Sequence, residues 1–400
     1  MNGLVISWFY PPATSAEGLV TFKLLKNSEF HYDVISAESR QWSYDTDSPL
    51  SSPNITVHPV KSDHFSTFIR EADETAGRLM GQNHYDFLMT RAMPAQSHTV
   101  GLKIKKRSGV FWIASMADPI GRNPYDYDRY FGSAGKILKN PIRTAARVVI
   151  YLRNILFENK VIRKADRIVF PSLNQCKYTL GKNYEKYKEK IMIIPHTFDP
   201  ELCPPERTDA AANERITISH LGHLNGQRSA EGLISALSKL KRDKPELGRR
   251  LFFRLIGNIP KEQKELVERE GLTAMISVEK AVDYFESLRI MQESDILLLI
   301  DAKFNCMKEN IFFASKLADY MGAGRPIIGL TDETGPSGGI IKRSGGTVCN
   351  PEDIDHIYHL FRRIAEDGIP SHLPEVYRCY ESRLSARKFD EDLKTCLHNK

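Results

Sequence analysis

The sequence of 400 residues is poor in cysteine. It has six, Cys176, Cys203, Cys306, Cys349, Cys379 and Cys396, and no two form a Cys-x2-Cys pair. That spacing argues against zinc-ribbon and zinc-finger sites. A chain this long buries a core large enough to need no disulfide framework, and scattered reduced thiols suit the cytoplasm. Long apolar runs are missing as well: Val148–Leu152 and Ile296–Ile300 are the longest. A membrane-spanning helix needs about 20 such residues. Met1–Tyr10 has no basic opening and no cleavage site and passes straight into a strand pattern, so no signal peptide is expected. Internal repeats and low-complexity stretches are absent. With 41% hydrophobic and 26% charged residues, the composition is that of a globular protein and excludes disordered and collagen-like classes.

What the chain does have is charge asymmetry. Residues 1–200 carry 27 Lys and Arg against 19 Asp and Glu, a net of +8, while residues 201–400 carry 29 against 31, a net of −2. Within 101–200 the balance is 20 against 8. A basic half predicts an acidic partner. One cluster is Lys103-Ile104-Lys105-Lys106-Arg107, and a longer basic stretch runs from Lys136 to Lys164. After Pro141 the latter reads as a helix with Ile142, Ala145, Val149, Leu152 and Leu156 on one stripe, flanked by Arg143 and Arg147. Such a helix fits an anionic membrane surface; an ordinary helix packing its stripe on a sheet is the alternative. No zinc finger, RNP or helix-turn-helix signal accompanies the charge, so nucleic acid is not expected.

Short β-rich apolar runs alternate with helical patterns along the chain. They begin with Leu4–Phe9 and continue through Tyr85–Met89, Val110–Ser115 and Ile191–Ile194, then Ile216–Leu221, Ile296–Ile300 and Pro326–Leu330. Continuous apolar runs suit strands covered on both faces, and alternation with helices means βαβ units in parallel sheets. The expected fold is α/β with two doubly wound domains. Phe198–Asn213, rich in proline and without periodicity, reads as the linker. The expected division is 1–200, 201–378 and a final segment 379–400. Two such domains offer a ligand cleft at the carboxyl ends of their strands.

Several segments carry chemistry. Ser315–Ile328 is a helix pattern that ends at Gly324 and opens an apolar strand after Pro326. Lys316 and Asp319 share one face of its first turn, where free N–H groups and the helix dipole suit phosphate and a carboxylate suits hydroxyls. His220-Leu221-Gly222-His223-Leu224-Asn225-Gly226-Gln227-Arg228-Ser229 follows a strand with a glycine turn, a context that cradles phosphate. Arg228 is always charged and binds phosphate in bidentate fashion, whereas a histidine such as His223 is a weaker cation. Tyr10–Gly18 follows the first strand, and Gly18 would permit close approach of the backbone to a ligand. Pro94–His98 and Ser115–Pro119 follow two further strands, placing His98 and Asp118 where α/β sites form.

The Ser315–Ile328 string resembles the donor-site signature of the family-4 retaining glycosyltransferases, and the other segments fall in the order that family shows. The resemblance implies the GT-B fold, two Rossmann-like domains facing across a cleft, with the final helix crossing back to the first domain. It implies a nucleotide-diphosphate sugar as donor in the second domain and a glycan, lipid-linked or other hydroxyl acceptor in the first. Transfer would retain the anomeric configuration, without metal or cofactor. Carried over residue by residue, Asp319 stands at the ribose-binding carboxylate, and His223 and Arg228 stand at the two cations that neutralise the diphosphate. Gly18, Gly222, Tyr284, Ser315 and Lys316 complete the donor site, with Tyr284 beside the base. Asp118, His98 and Arg228 are the catalytic candidates. The first glutamate of the family's Glu-x7-Glu pair would fall at Ile311, a departure. A non-catalytic partner subunit and a sugar-nucleotide epimerase are the alternative functions. The expected location is the cytoplasm, with peripheral attachment to the inner face of the membrane through 103–107 and 136–164.

Overall fold

The computed structural model describes residues 1–13, 15–38, 49–131, 141–205, 215–307 and 309–398. They form two units, Met1–Thr197 with Ser382–Lys400, and Phe198–Glu381. The crossings between them lie three residues from 200/201 and 378/379. Half of the expected linker, residues 206–213, and Lys136 and Lys139 of the basic stretch lie outside the described residues.

The first unit is built on a seven-stranded sheet. In chain order its strands are β1 (Asn2–Ser7), β2 (His31–Ala37), β3 (Ile55–Val60), β4 (Phe87–Arg91), β5 (Phe111–Ser115), β6 (Arg167–Phe170) and β7 (Ile191–Ile193). Their order across the sheet is β3-β2-β1-β4-β5-β6-β7, and every pairing is parallel. β4 and β5 are buried at every position, as continuous apolar strands covered on both faces must be. The helix Ser382–His398 packs in this unit. Asp390 accepts from the Ser28 hydroxyl at 2.7 Å and from the Glu29 amide at 2.9 Å, and Phe389 meets Phe87 edge-on.

The second unit repeats the plan with six parallel strands. They are β8 (Ile216–Leu221), β9 (Leu251–Ile256), β10 (Ile276–Glu279), β11 (Ile296–Ile300), β12 (Ile327–Leu330) and β13 (Val348–Cys349). The order is β10-β9-β8-β11-β12-β13. Helix Ile354–Asp367 covers one face, and Phe361 meets Phe253 of β9 edge-on with ring centroids 4.9 Å apart. The two chain crossings run side by side: Phe198 donates its amide to the Tyr380 carbonyl at 3.2 Å and forms a parallel bridge with Glu381.

Both sheets reverse their winding once, between β1 and β4 and between β8 and β11. Helices leave such a switch point in opposite directions, and a crevice opens beyond the carboxyl ends of the strands.

Candidate functional site

At the switch point of the second unit the chain leaves β8 through Gly222, whose φ is +142°. A β-carbon there would overlap the ammonium of Lys316. A β-carbon on Gly257, at φ +148° after β9, would likewise overlap the Gly222 carbonyl. The two glycines let these turns pack under the first turn of helix Ser315–Gly322, which carries Lys316 as its second residue.

The stem of Lys316 is half-buried, but its Nζ is shut away from solvent and has no hydrogen-bond partner among the described residues. Burial, then the charge of Arg228, push its pKa down to about 7, against a smaller opposing pull from Asp301. His220, also buried, has Nδ1 3.0 Å from the Leu298 carbonyl. Burial and the neighbouring Lys316 hold this imidazole well below its ordinary pKa, so it adds no charge. Asp301 Oδ1 accepts from the Ala302 amide at 2.8 Å. The Lys316 ammonium thus sits buried beside the charge of Arg228, and a buried ammonium without a hydrogen-bonding acceptor among the described residues is costly. An anion entering here removes that cost.

One turn along the same helix, Asp319 accepts a hydrogen bond from the Tyr284 hydroxyl at 3.1 Å. Tyr284 opens helix Tyr284–Glu293, which starts where Asp283 caps the Glu286 amide at 3.0 Å. Burial first, and Asp319 second, raise the Tyr284 pKa, so the phenol stays a donor. The structure therefore brings Gly222, Arg228, Ser315, Lys316, Asp319 and Tyr284 to one end of the second sheet.

His223 lies on the turn between β8 and Arg228. It is exposed, and its Nδ1 accepts the Asn258 amide at 3.0 Å. It ties the β8 turn to the β9 turn. Ile311 is buried, and its neighbour Asn310 pins that segment. The Asn310 side chain donates to the Ala302 carbonyl at 3.1 Å and accepts from the Phe312 amide at 2.9 Å. A separate cavity of about 200 Å³ opens past β11 and β12 between Lys303, Glu309, Asn310 and Asp332, and none of the residues expected to hold the donor lines it.

In the first unit the switch point is held by residues that the sequence reading missed. Arg91, the buried last residue of β4, donates from Nε and Nη2 to Glu17 Oε2 at 3.0 and 2.8 Å, and from Nη1 to the Ser115 hydroxyl at 3.0 Å. This one guanidinium joins the ends of β4 and β5 to helix Ala16–Lys26. The legible signal was an arginine closing an otherwise apolar strand. Gly18 packs inward: a β-carbon would press on the Tyr10 backbone and the Ser15 hydroxyl, 3.1 Å from each. Its lack of a side chain lets helix Ala16–Lys26 pack against the loop that follows β1. Asp118 is half-buried in the turn after β5, as expected from its position.

His98 is a core residue. It is fully buried, with Nδ1 2.7 Å from Thr90 Oγ1, which also accepts from the Trp112 indole at 2.9 Å. Burial, helped by Arg91, pushes its pKa down to about 3. A neutral ring with no exposure cannot meet an acceptor, so the catalytic reading of His98 fails on burial.

Among the described residues no helix is long and apolar enough to cross a membrane, and no group of three or more His, Cys, Asp or Glu is placed to hold a metal. Asp-x-Asp strings do occur. Those at 126–128 and 390–392 lie within helices, 353–355 starts at a helix cap, and 45–47 lies outside the described residues. Two carboxylates face the four cations of the basic cluster 103–107: Lys103 and Arg107 share Asp73, and Lys105 pairs with Asp166.

No family model matches this sequence, and no curated protein does. The fold does have solved counterparts. Anabaena HepE, solved in complex with UDP and glucose, is 14% identical, with a TM-score of 0.67 over 98% of this chain and 99% of that one. Sucrose-phosphate synthase from Thermosynechococcus elongatus is 13% identical, with a TM-score of 0.64 over 99% and 95%. The lipopolysaccharide outer core galactosyltransferase WaaB is 13% identical, with a TM-score of 0.62 over 99% of each chain. The chain has the fold of the GT-B glycosyltransferases.

Proposed function

We propose that the chain is a retaining glycosyltransferase. It takes a sugar from a nucleotide-diphosphate sugar bound in the second unit and passes it to a hydroxyl of a glycan or lipid-linked acceptor bound by the first, in the cytoplasm. The observation that carries this reading is the buried Lys316 ammonium, which has no acceptor among the described residues and lies near Arg228. A diphosphate supplies the missing charge. Ser315 and the free amides of the same helix start add donors to it, and Asp319 receives ribose hydroxyls while Tyr284 borders the base.

As the bond from the anomeric carbon to the diphosphate oxygen lengthens, negative charge grows on that oxygen. Arg228 and Lys316 stabilise it, which lowers the barrier because both are already in place. The departing oxygen takes the proton of the acceptor hydroxyl. The acceptor oxygen then bonds to the anomeric carbon on the face just vacated, so configuration is kept. Asp118 orients the acceptor. In this reading no metal or cofactor takes part.

The test is a panel of UDP-, GDP- and dTDP-sugars, read by calorimetry for binding and by chromatography for release of nucleoside diphosphate. NMR of the transferred sugar reports the anomeric configuration. Absence of binding by every donor overturns the reading. Binding without release, with or without candidate acceptors, assigns the chain instead to a non-catalytic partner role, the alternative that Ile311 favours.

A further inference from the structure

The helix Pro141–Lys164 has no part in the donor site. It carries six cations, Arg143, Arg147, Arg153, Lys160, Arg163 and Lys164, against one acid, Glu158. Its apolar stripe is not packed on the sheet: Ile142 is 84% exposed, Val149 56%, Leu152 53% and Leu156 67%. At about 100° per residue these four side chains project from one face, and Arg153, Lys160, Arg163 and Lys164 share it.

The opposite face is fixed to the first unit. Glu158 is buried there, and its Oε2 accepts the amides of Ile120 and Gly121 at 2.7 and 2.9 Å. Gly121 lies so close that a β-carbon would run into the backbone of Ile155. The helix is therefore joined tightly to the loop that follows Asp118.

We propose that the outward face of Pro141–Lys164 docks on an anionic lipid bilayer. Exposed aliphatics in a row call for an apolar phase to receive them. In an interfacial helix they enter the acyl boundary, while lysine and arginine stems reach back to the phosphates. Charge decides between occupants. A second copy of the chain would set this same basic face against itself in a two-fold interface, whereas anionic headgroups complement it. Docking does not depend on the glycosyltransferase reading. If that reading also holds, Glu158 and Gly121 set the Asp118 loop at a fixed depth relative to a membrane-borne acceptor.

The experiment is flotation of the full chain with phosphatidylcholine vesicles, with and without phosphatidylglycerol. The protein floats only with the anionic vesicles. Leu152→Glu with Leu156→Glu lowers the bound fraction on the order of tenfold or more, as does neutralising Arg153, Lys160, Arg163 and Lys164 to glutamine. Tm and lipid-free donor turnover stay at wild-type values, because these side chains are exposed and belong to the first unit, whereas the donor site is built from the second. Failure of the wild type to float with anionic vesicles overturns the proposal, as does undiminished flotation of the leucine double variant. A dimer in analytical ultracentrifugation that the leucine variant dissociates, without lipid binding, assigns the face to a second copy. Donor turnover measured without lipid tests the catalytic reading separately.

Discussion

The ammonium of Lys316 occupies the space that a β-carbon on Gly222 would fill. A strand-end glycine and a helix-start lysine, far apart in sequence, thus make one site. Gly222→Ala is expected to lose nucleoside-diphosphate binding in calorimetry and to lower Tm, since φ of +142° also strains any larger residue. Wild-type affinity in that variant would detach Gly222 from the site.

Diphosphate binding should take up a proton. The Lys316 pKa is held down to about 7 in the free protein, and a bound anion raises it. Above pH 7 the free lysine is increasingly neutral while the bound one stays charged, so affinity falls as pH rises. Below about 7 both states are protonated and this group adds no pH dependence. Calorimetry at pH 8 in buffers of different ionisation enthalpy reads the uptake directly. An enthalpy independent of buffer would show that Lys316 does not meet the anion.

The same lysine costs stability. A base whose folded pKa lies below its unfolded value penalises folding most below the folded pKa, and the penalty fades as pH climbs toward the unfolded one. Lys316→Met should therefore raise Tm at pH 6, raise it less at pH 9, and abolish donor binding. Thermal scans at the two pH values check this; a lower Tm at pH 6 would contradict it.

Arg228→Ala should reduce donor turnover on the order of a hundredfold or more, the scale of losing one preorganised charge donor. Steady-state release of nucleoside diphosphate measures it. Turnover within a few-fold of wild type would remove Arg228 from the mechanism.

His98→Ala is expected to destabilise the chain by about 3 kcal/mol through the cavity it leaves beside Trp112. Turnover per folded molecule should be unchanged, with folded fraction read by urea titration. A selective loss of turnover at full stability would restore a catalytic role.

The strand pattern was legible because parallel strands covered on both faces must be apolar throughout, and Ile296–Ile300 is both the run in the sequence and β11. Strand ends were less so. The apolar run Leu4–Phe9 overshoots β1, because Trp8 leaves the sheet to pack against the rings of Phe65 and Phe68, 5.0 and 4.7 Å away. β4 runs on to Arg91, whose polar side chain is tolerated only because Glu17 and Ser115 meet it from elsewhere in the chain. The donor-site residues could be marked from local strings, since each lies beside a strand end or a helix start.

By itself the sequence determined the two α/β units and the positions of the turns, because periodicity and turn chemistry are local. It could not assign protonation states or surfaces, because those depend on what other segments place around a residue. Burial made His98 a core ring, and Asp73 and Asp166 came from other segments to meet Lys103, Lys105 and Arg107. Only tertiary structure left the Pro141–Lys164 stripe facing outward, since its inward face was already taken by the loop that Glu158 holds.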